Sequence, residues 1–229
     1  MNGNARIRFE VIGEAWQLFS RNMSTWIVAM IAYLVLMVLA SMLVNLFGLA
    51  GILQGDASFA VASIFVGIGV SFILSLLLQS LLMGGMYRMA LNQIRGIPTS
   101  AGDVFQAFDL VPRFIITNLI IGVLAGIGFM LCIIPGLIVL GTTFLAAPLL
   151  AATNLSPIDA ITKSFEVLKR DMLMAILFFI VVTIVASLGA IACGIGIIFT
   201  YPLLFISISL VYRDFFPEQF GSAPPPPAS

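Results

Sequence analysis

Six long apolar runs divide this chain, and every lysine and arginine lies outside them. The runs cover about residues 26–48, 59–86, 114–134, 137–153, 172–193 and 195–212. A helix rises about 1.5 Å per residue, so each can cross a hydrocarbon layer of about 30 Å, the fourth and sixth with little to spare. Arg6, Arg8 and Arg21 precede the first run. Arg88, Arg95 and Arg113 lie between the second and third, Lys163, Lys169 and Arg170 between the fourth and fifth, and Arg213 follows the sixth. With six spans, all ten cations fall on one side, and the opposite side carries only Asp56 in a short loop and two uncharged turns. Excess Lys and Arg marks the cytoplasmic side, so both termini are expected there.

Composition removes the alternative of a soluble core. Hydrophobic residues make up 61% of the chain and charged residues 9%, with a mean hydropathy of +1.18. A soluble domain carries about a quarter charged residues, so the expected solvent is lipid. The formal net charge is zero, which gives no footprint for nucleic acid. There is no histidine, and thus neither the commonest general base nor the commonest metal ligand. Two cysteines are too few for a disulfide scaffold or a cysteine-rich zinc site. Residues 1–25 hold five charged side chains and no apolar core, so no cleavable signal is expected, and the first span serves as its own insertion signal.

One amphipathic phrase is written three times. AWQLFSRNM (15–23) matches SFEVLKRDM (164–172) in chemical kind, and VFQAFDLV (104–111) aligns with residues 15–22 at a constant offset of 89. Apolar residues recur at i, i+4 and i+7: Ile12, Trp16 and Phe19; Ala101, Phe105 and Phe108; Ile161, Phe165 and Leu168. That spacing predicts a single apolar stripe along a helix, with polar side chains opposite. Ser100 with Asp103, and Ser156 with Asp159, predict N-terminal caps, and Pro157 suits a first helical position. Each phrase is followed by two spans. The predicted unit is therefore an interfacial helix plus a helical hairpin, repeated over about residues 8–91, 100–153 and 156–216. AGIGFMLC (125–132) and ASLGAIAC (186–193) agree at an offset of 61, and Tyr87-Arg88 resembles Tyr212-Arg213. Such helices lie in the headgroup layer. They either anchor their hairpins or bind lipid headgroups, and the candidate interfacial residues are Trp16, Phe19, Arg21, Phe105, Phe108, Phe165, Lys169 and Arg170. Trp16, Trp26, Tyr87 and Tyr212 fall at interface depth, where an aromatic belt is expected.

The spans hold no Asp, Glu, Lys or Arg, which argues against a proton-driven pump. Their neutral polar residues serve helix packing or a polar seam, with Gln79 and Asn118 the candidates for the seam. Gly122 and Gly126, with Ala186, Gly189 and Ala190, predict close packing of the third and fifth spans. Pro135, Pro148 and Pro202 are candidate hinges. Cys132 and Cys193 lie near the non-cytoplasmic helix ends, as small packing residues or as a disulfide pair. The tail, residues 217–229, is Pro-rich and predicted to be disordered.

The stretches IIPGLIVLGTTFLAAPLLAATNLSPIDAITKSFEVLKRDM (133–172) and GIGIIFTYPLLFISISLVYRDFF (194–216) carry a resemblance. They share a P-G pair, a later proline in the same span, Asp159 and Ser164 on the amphipathic helix, and a proline then Tyr-Arg in the last span. In these features the chain resembles the uncharacterised bacterial YciC-like integral membrane proteins and the membrane domain attached to some glycerophosphoryl diester phosphodiesterases, over about residues 80–216. The resemblance implies a helical membrane fold. It implies no phosphodiesterase activity, because the chain lacks the soluble catalytic domain and any histidine.

The expectation is an all-α polytopic protein of the bacterial cytoplasmic membrane, a single domain over residues 1–216. It needs no cofactor and is non-enzymatic, with no catalytic or metal-binding residues. Its partners are membrane lipids and further copies of itself, and its role is lipid-associated or membrane-organising. The alternative is a passive channel or carrier for a small neutral or amphiphilic solute. The orientation is testable in a background lacking Cys132 and Cys193. Asp56→Cys should react with an impermeant maleimide on intact cells, and Thr99→Cys only after lysis; the reverse pattern would invert the topology.

Overall fold

Backbone amides in hydrocarbon have no water to bond, so a spanning segment must satisfy them within a helix. The computed structural model describes residues 6–53, 57–191 and 196–220, and among these there is no strand. The helices are α1 (Val11–Arg21), α2 (Met23–Leu53), α3 (Ala57–Ile94), α4 (Val111–Leu131), α5 (Ile133–Thr143), α6 (Ala146–Ala152), α7 (Pro157–Leu168), α8 (Met172–Ile191) and α9 (Ile197–Phe215). Six helical stretches are long and apolar enough to cross a membrane.

The fourth crossing is interrupted. Pro148 has no N–H to offer the carbonyl of Phe144, and the helix breaks at Phe144–Leu145 into α5 and α6. One carbonyl orphaned at the end of α5, that of Thr142, accepts from the Ser164 hydroxyl at 3.0 Å, so the break is tied to α7. Pro135 lies in the first turn of α5, where an N–H would have no helical partner, and it starts a helix rather than bending one. Pro202 sits within an unbroken α9. At the end of α3, Gly96 takes φ of 74°, and its N–H and that of Ile97 return to the carbonyls of Gln93 and Asn92. Only glycine adopts that conformation cheaply.

In the second and third hairpins the returning helix (α5–α6, α9) runs inside and the outgoing helix outside, whereas α3 joins the centre only towards its C-terminal end and exposes the rest of its apolar run. α3 packs against α6 and α9, and α6 packs against α9. The outgoing helices cover this centre in turn: α2 on α9, α4 on α3 and α8 on α5. The short segments follow the same order. The turns of 3₁₀ helix over Ala101–Gln106 lie on α3, α7 lies on α5 and α6, and α1 lies on α9. Residues Leu203, Phe205, Ile206, Ile208 and Leu210–Tyr212 of α9 are buried, as are Leu82, Met86, Tyr87 and Met89–Leu91 of α3. Tyr33, Tyr201, Phe205 and Tyr87 make a run of ring contacts that joins α2, α9 and α3.

Small residues sit at the tight contacts, but not where the Gly122 and Gly126 spacing places them. A Cβ on either would meet nothing within 4 Å. Neither α4 nor α8 is central; their apolar stretches are 22% and 28% buried, against 56% for the fourth and sixth crossings. The close approaches include Gly85 against the backbone of Val104, Gly141 against Ile176, Gly128 against Gly136 and Gly189 against Gly196, where an added Cβ would fall within 3 Å of the neighbour's atoms. A GxxxG spacing is common in apolar sequence and marks an interface only when its face meets a partner. Gly85→Ala should therefore cost about 1–3 kcal/mol through overpacking and lower the thermal midpoint in detergent, whereas Gly122→Ala should not.

Candidate membrane interface

α1 and α7 are both strongly amphipathic. Their buried faces are Val11, Ala15 and Phe19, and Ala160, Ser164 and Leu168. These stripes are turned from the expected one. Large apolar residues predict Ile12, Trp16 and Phe19 as one face, yet Trp16 is 50% exposed and Phe165 43% exposed. The physical reason is size. Ala15, Ala160 and Ser164 are small enough for backbones to approach, and the Trp16 and Phe165 rings one residue on from Ala15 and Ser164 face outward. Phe19 is thus corrected: it is fully buried, with its ring 6.5 Å from that of Phe199, and has no lipid-facing surface.

The middle segment folds differently. Residues expected to form an α-helix form 3₁₀ turns, Ala101–Gln106 and Phe108–Leu110. A 3₁₀ turn repeats about every three residues, and the buried positions follow: Val104, Ala107 and Leu110. Phe105 is half-buried, and Phe108 is 68% exposed. The expected caps form. The Ser100 N–H donates to Asp103 Oδ2 at 2.8 Å, and the Ser156 hydroxyl accepts from the Asp159 N–H at 3.2 Å.

Trp26, Tyr87 and Tyr212 are buried and do not form a belt. The Trp26 indole donates to Gln93 Oε1 at 2.7 Å, and the Gln93 amide donates to the Leu18 carbonyl at 2.6 Å. Gln93 therefore clamps the end of α1, the start of α2 and the end of α3. Tyr212 donates to Gln219 and packs on Phe216 and Phe220, which holds the segment after α9 under the bundle.

Ion pairs close the same face. Asp214 binds Arg8 at 2.6 Å and Arg213 at 2.9 Å, and Glu14 binds Arg213 at 2.9 Å and Arg8 at 3.3 Å. The hydrogen bonds that Arg8 donates to Asp214 hold its guanidinium above its ordinary pKa. Arg88 binds Asp109 at 2.7 Å and keeps that carboxyl below its ordinary value. The two pairs are alike in build: an Arg following a buried Tyr, at the end of a returning helix, meets an acid on a short segment. No periodicity reveals partners 21 and 199 residues apart, and sequence reasoning missed them along with Gln93.

The remaining candidates are scattered. Gln79 on α3 is exposed, and Asn118 on α4 is half-buried. Neither lines the cleft of about 540 Å³ between α2 and α3, whose polar lining is Ser41, Asn45, Ser71 and Ser75. Three of these side chains bond their own helix backbone: Asn45 Nδ2 to Ser41 O at 2.7 Å, Ser71 Oγ to Gly67 O at 2.6 Å, and Ser75 Oγ to Phe72 O at 3.0 Å. Arg21, Lys169 and Arg170 are exposed, and Lys169 Nζ lies 5.8 Å from the centre of the Phe165 ring. Cys132 is exposed with a free thiol, and Cys193 and Asp56 lie outside the described residues.

Two mycobacterial proteins are similar to the chain. One, from Mycobacterium bovis, and one, from Mycobacterium tuberculosis, are each described as uncharacterized. Each is 25% identical over 238 aligned positions, covering 95% of this chain and 72% of the relative. No protein-family model matches the chain, and no solved structure matches it.

The Gln93 clamp makes a direct test of how this face is held. Gln93→Leu strands a buried indole N–H and should cost about 1–3 kcal/mol, lowering the thermal midpoint and shifting Trp emission. The exposed Gln79→Leu should change neither.

Proposed function

We propose that this chain is a non-enzymatic, multi-pass protein of the bacterial cytoplasmic membrane that associates with lipid and organises it at the cytoplasmic face. It is built from three copies of one unit, a short interfacial segment and a helical hairpin, and both termini are cytoplasmic. The observation that carries the reading is the outward aromatic on each segment: Trp16, Phe108 and Phe165, at 50%, 68% and 43% exposure. Each lies on a segment whose opposite face is buried in the bundle, so the ring has lipid or water as its neighbour. An aromatic beside cations at the edge of a spanning helix favours the headgroup layer. The three-unit reading is supported by the cyclic packing order, in which each returning helix carries the short segment of the next unit and α9 carries that of the first.

A second reading, a passive channel or carrier for a small neutral or amphiphilic solute, is favoured by the cleft between α2 and α3. It ranks lower because three of its polar side chains already bond helix backbone, and because Gln79 and Asn118 are not part of it.

Trp26 is buried, so Trp16 reports on the surface. In vesicles whose acyl chains are brominated near the headgroup, Trp16 emission should be quenched well beyond that of Trp26, measured with Trp26→Phe and Trp16→Phe. The triple variant Trp16→Glu, Phe108→Glu and Phe165→Glu should lose co-purifying lipid. An unquenched Trp16 together with unchanged lipid retention would contradict the proposal.

A further inference from the structure

Most of the ten cations are already engaged. Arg8, Arg213 and Arg88 are in ion pairs. Arg95 stacks over Phe220 at 5.2 Å, Lys163 over Phe216 at 5.1 Å and Lys169 over Phe165 at 5.8 Å. The other four are Arg6, Arg21, Arg113 and Arg170, none of which forms an ion pair among the described residues.

Three of those four occupy one kind of place. Arg21 is the last residue of α1, two residues before α2 begins. Arg113 is the third residue of α4. Arg170 lies in the 3₁₀ turn Lys169–Asp171 that joins α7 to α8. Each stands at the elbow where a short surface segment turns into the outgoing helix of a hairpin. Each also follows an exposed aromatic by five residues: Trp16, Phe108 and Phe165.

The surroundings leave the guanidinium groups available. Arg113 spends one N–H on Asn154 Oδ1 at 3.2 Å, and its acidic neighbour Asp109 is taken by Arg88. Arg170 has Asp171 beside it and Glu166 one turn earlier, and binds neither within ion-pair distance. An elbow between a surface segment and a span sits where phosphates sit. Arginine is the side chain whose planar fork matches a phosphate with two parallel hydrogen bonds.

We infer that Arg21, Arg113 and Arg170 each hold the phosphate of an anionic phospholipid of the inner leaflet, one lipid per elbow. The inference rests on the headgroup-layer reading of the short segments and goes beyond it by naming the ligand, the groups that bind it and a number of sites.

The experiment uses full-length protein in nanodiscs and then native mass spectrometry after mild detergent release. The wild type should retain up to three phosphatidylglycerol molecules and prefer them to phosphatidylcholine. Each Arg→Gln change at 21, 113 or 170 should remove one bound lipid, lowering the preference by roughly fivefold per arginine. Arg6→Gln, an exposed cation away from any elbow, should leave the count unchanged, and thermal midpoints of all variants should match. An unchanged preference in the triple Arg→Gln variant would overturn the inference. So would displacement of the lipid by millimolar inorganic phosphate, which would mark free-anion sites. If the triple variant lost the preference for anionic lipid but kept Trp16 quenching by brominated lipid, the inference would stand and the seating reading with it. If quenching failed in the wild type while lipid preference persisted at other residues, both would fall.

Discussion

The whole arrangement depends on how each short surface segment is fastened to the inner half of a returning helix. Gly85 meets the backbone of Val104, Ser164 caps the Thr142 carbonyl, and Arg213 reaches Glu14 on α1. Apolar burial between spans gives little net drive in lipid, because lipid tails are as apolar as leucine. Close backbone contact, hydrogen bonds to orphan carbonyls and ion pairs at the membrane edge do the fastening instead. They act at the ends of the helices next to the short segments, which is also where burial is densest. The outer part of α3 exposes Val61, Phe65, Phe72 and Leu77.

This fastening explains the division of labour within each segment. A face pressed to a helix backbone needs small side chains, and the sequence supplies Ala15, Ala107, Ala160 and Ser164 there. Trp16, Phe108 and Phe165, each next to one of these small residues, are turned outward, while Phe19 near the end of α1 stays buried. One short stretch thereby holds the hairpin with its small residues and presents an aromatic on the other side. On the proposed reading the cations left at the elbows complete that outward surface.

The six crossings were legible because apolar length and the placement of ten cations are both coarse, additive signals. The N-terminal caps were legible because they are local. The phase of the stripe was not: hydrophobicity defines a wide apolar sector and cannot say which edge meets protein and which meets lipid, so Phe19 was assigned outward and lies in the core. The 3₁₀ geometry of Ala101–Gln106 was hidden because its residues suit an α-helix equally well, and its contact with α3 decides. Trp26, Tyr87 and Tyr212 are expected to face lipid and are buried instead, since the indole and the Tyr212 hydroxyl are satisfied by Gln93 and Gln219 rather than by water. Gly122 and Gly126 show the limit of a spacing motif, for nothing faces them. Pro148 was read as a break or hinge, and the chain does break there; what it breaks for, a bond from Ser164, needed the third dimension.

The central claim is that the three short segments lie at one depth, with Trp16, Phe108 and Phe165 facing lipid. Spin labels placed singly at residues 16, 108 and 165, with collision rates measured against oxygen and a water-soluble nickel complex, test it most directly. The account predicts three nearly equal depths just inside the phosphate plane, and immobile labels with low access to either reagent at residues 15, 104 and 164. Labels at 16, 108 and 165 that report open water, or depths that differ by a helical turn or more, would contradict it.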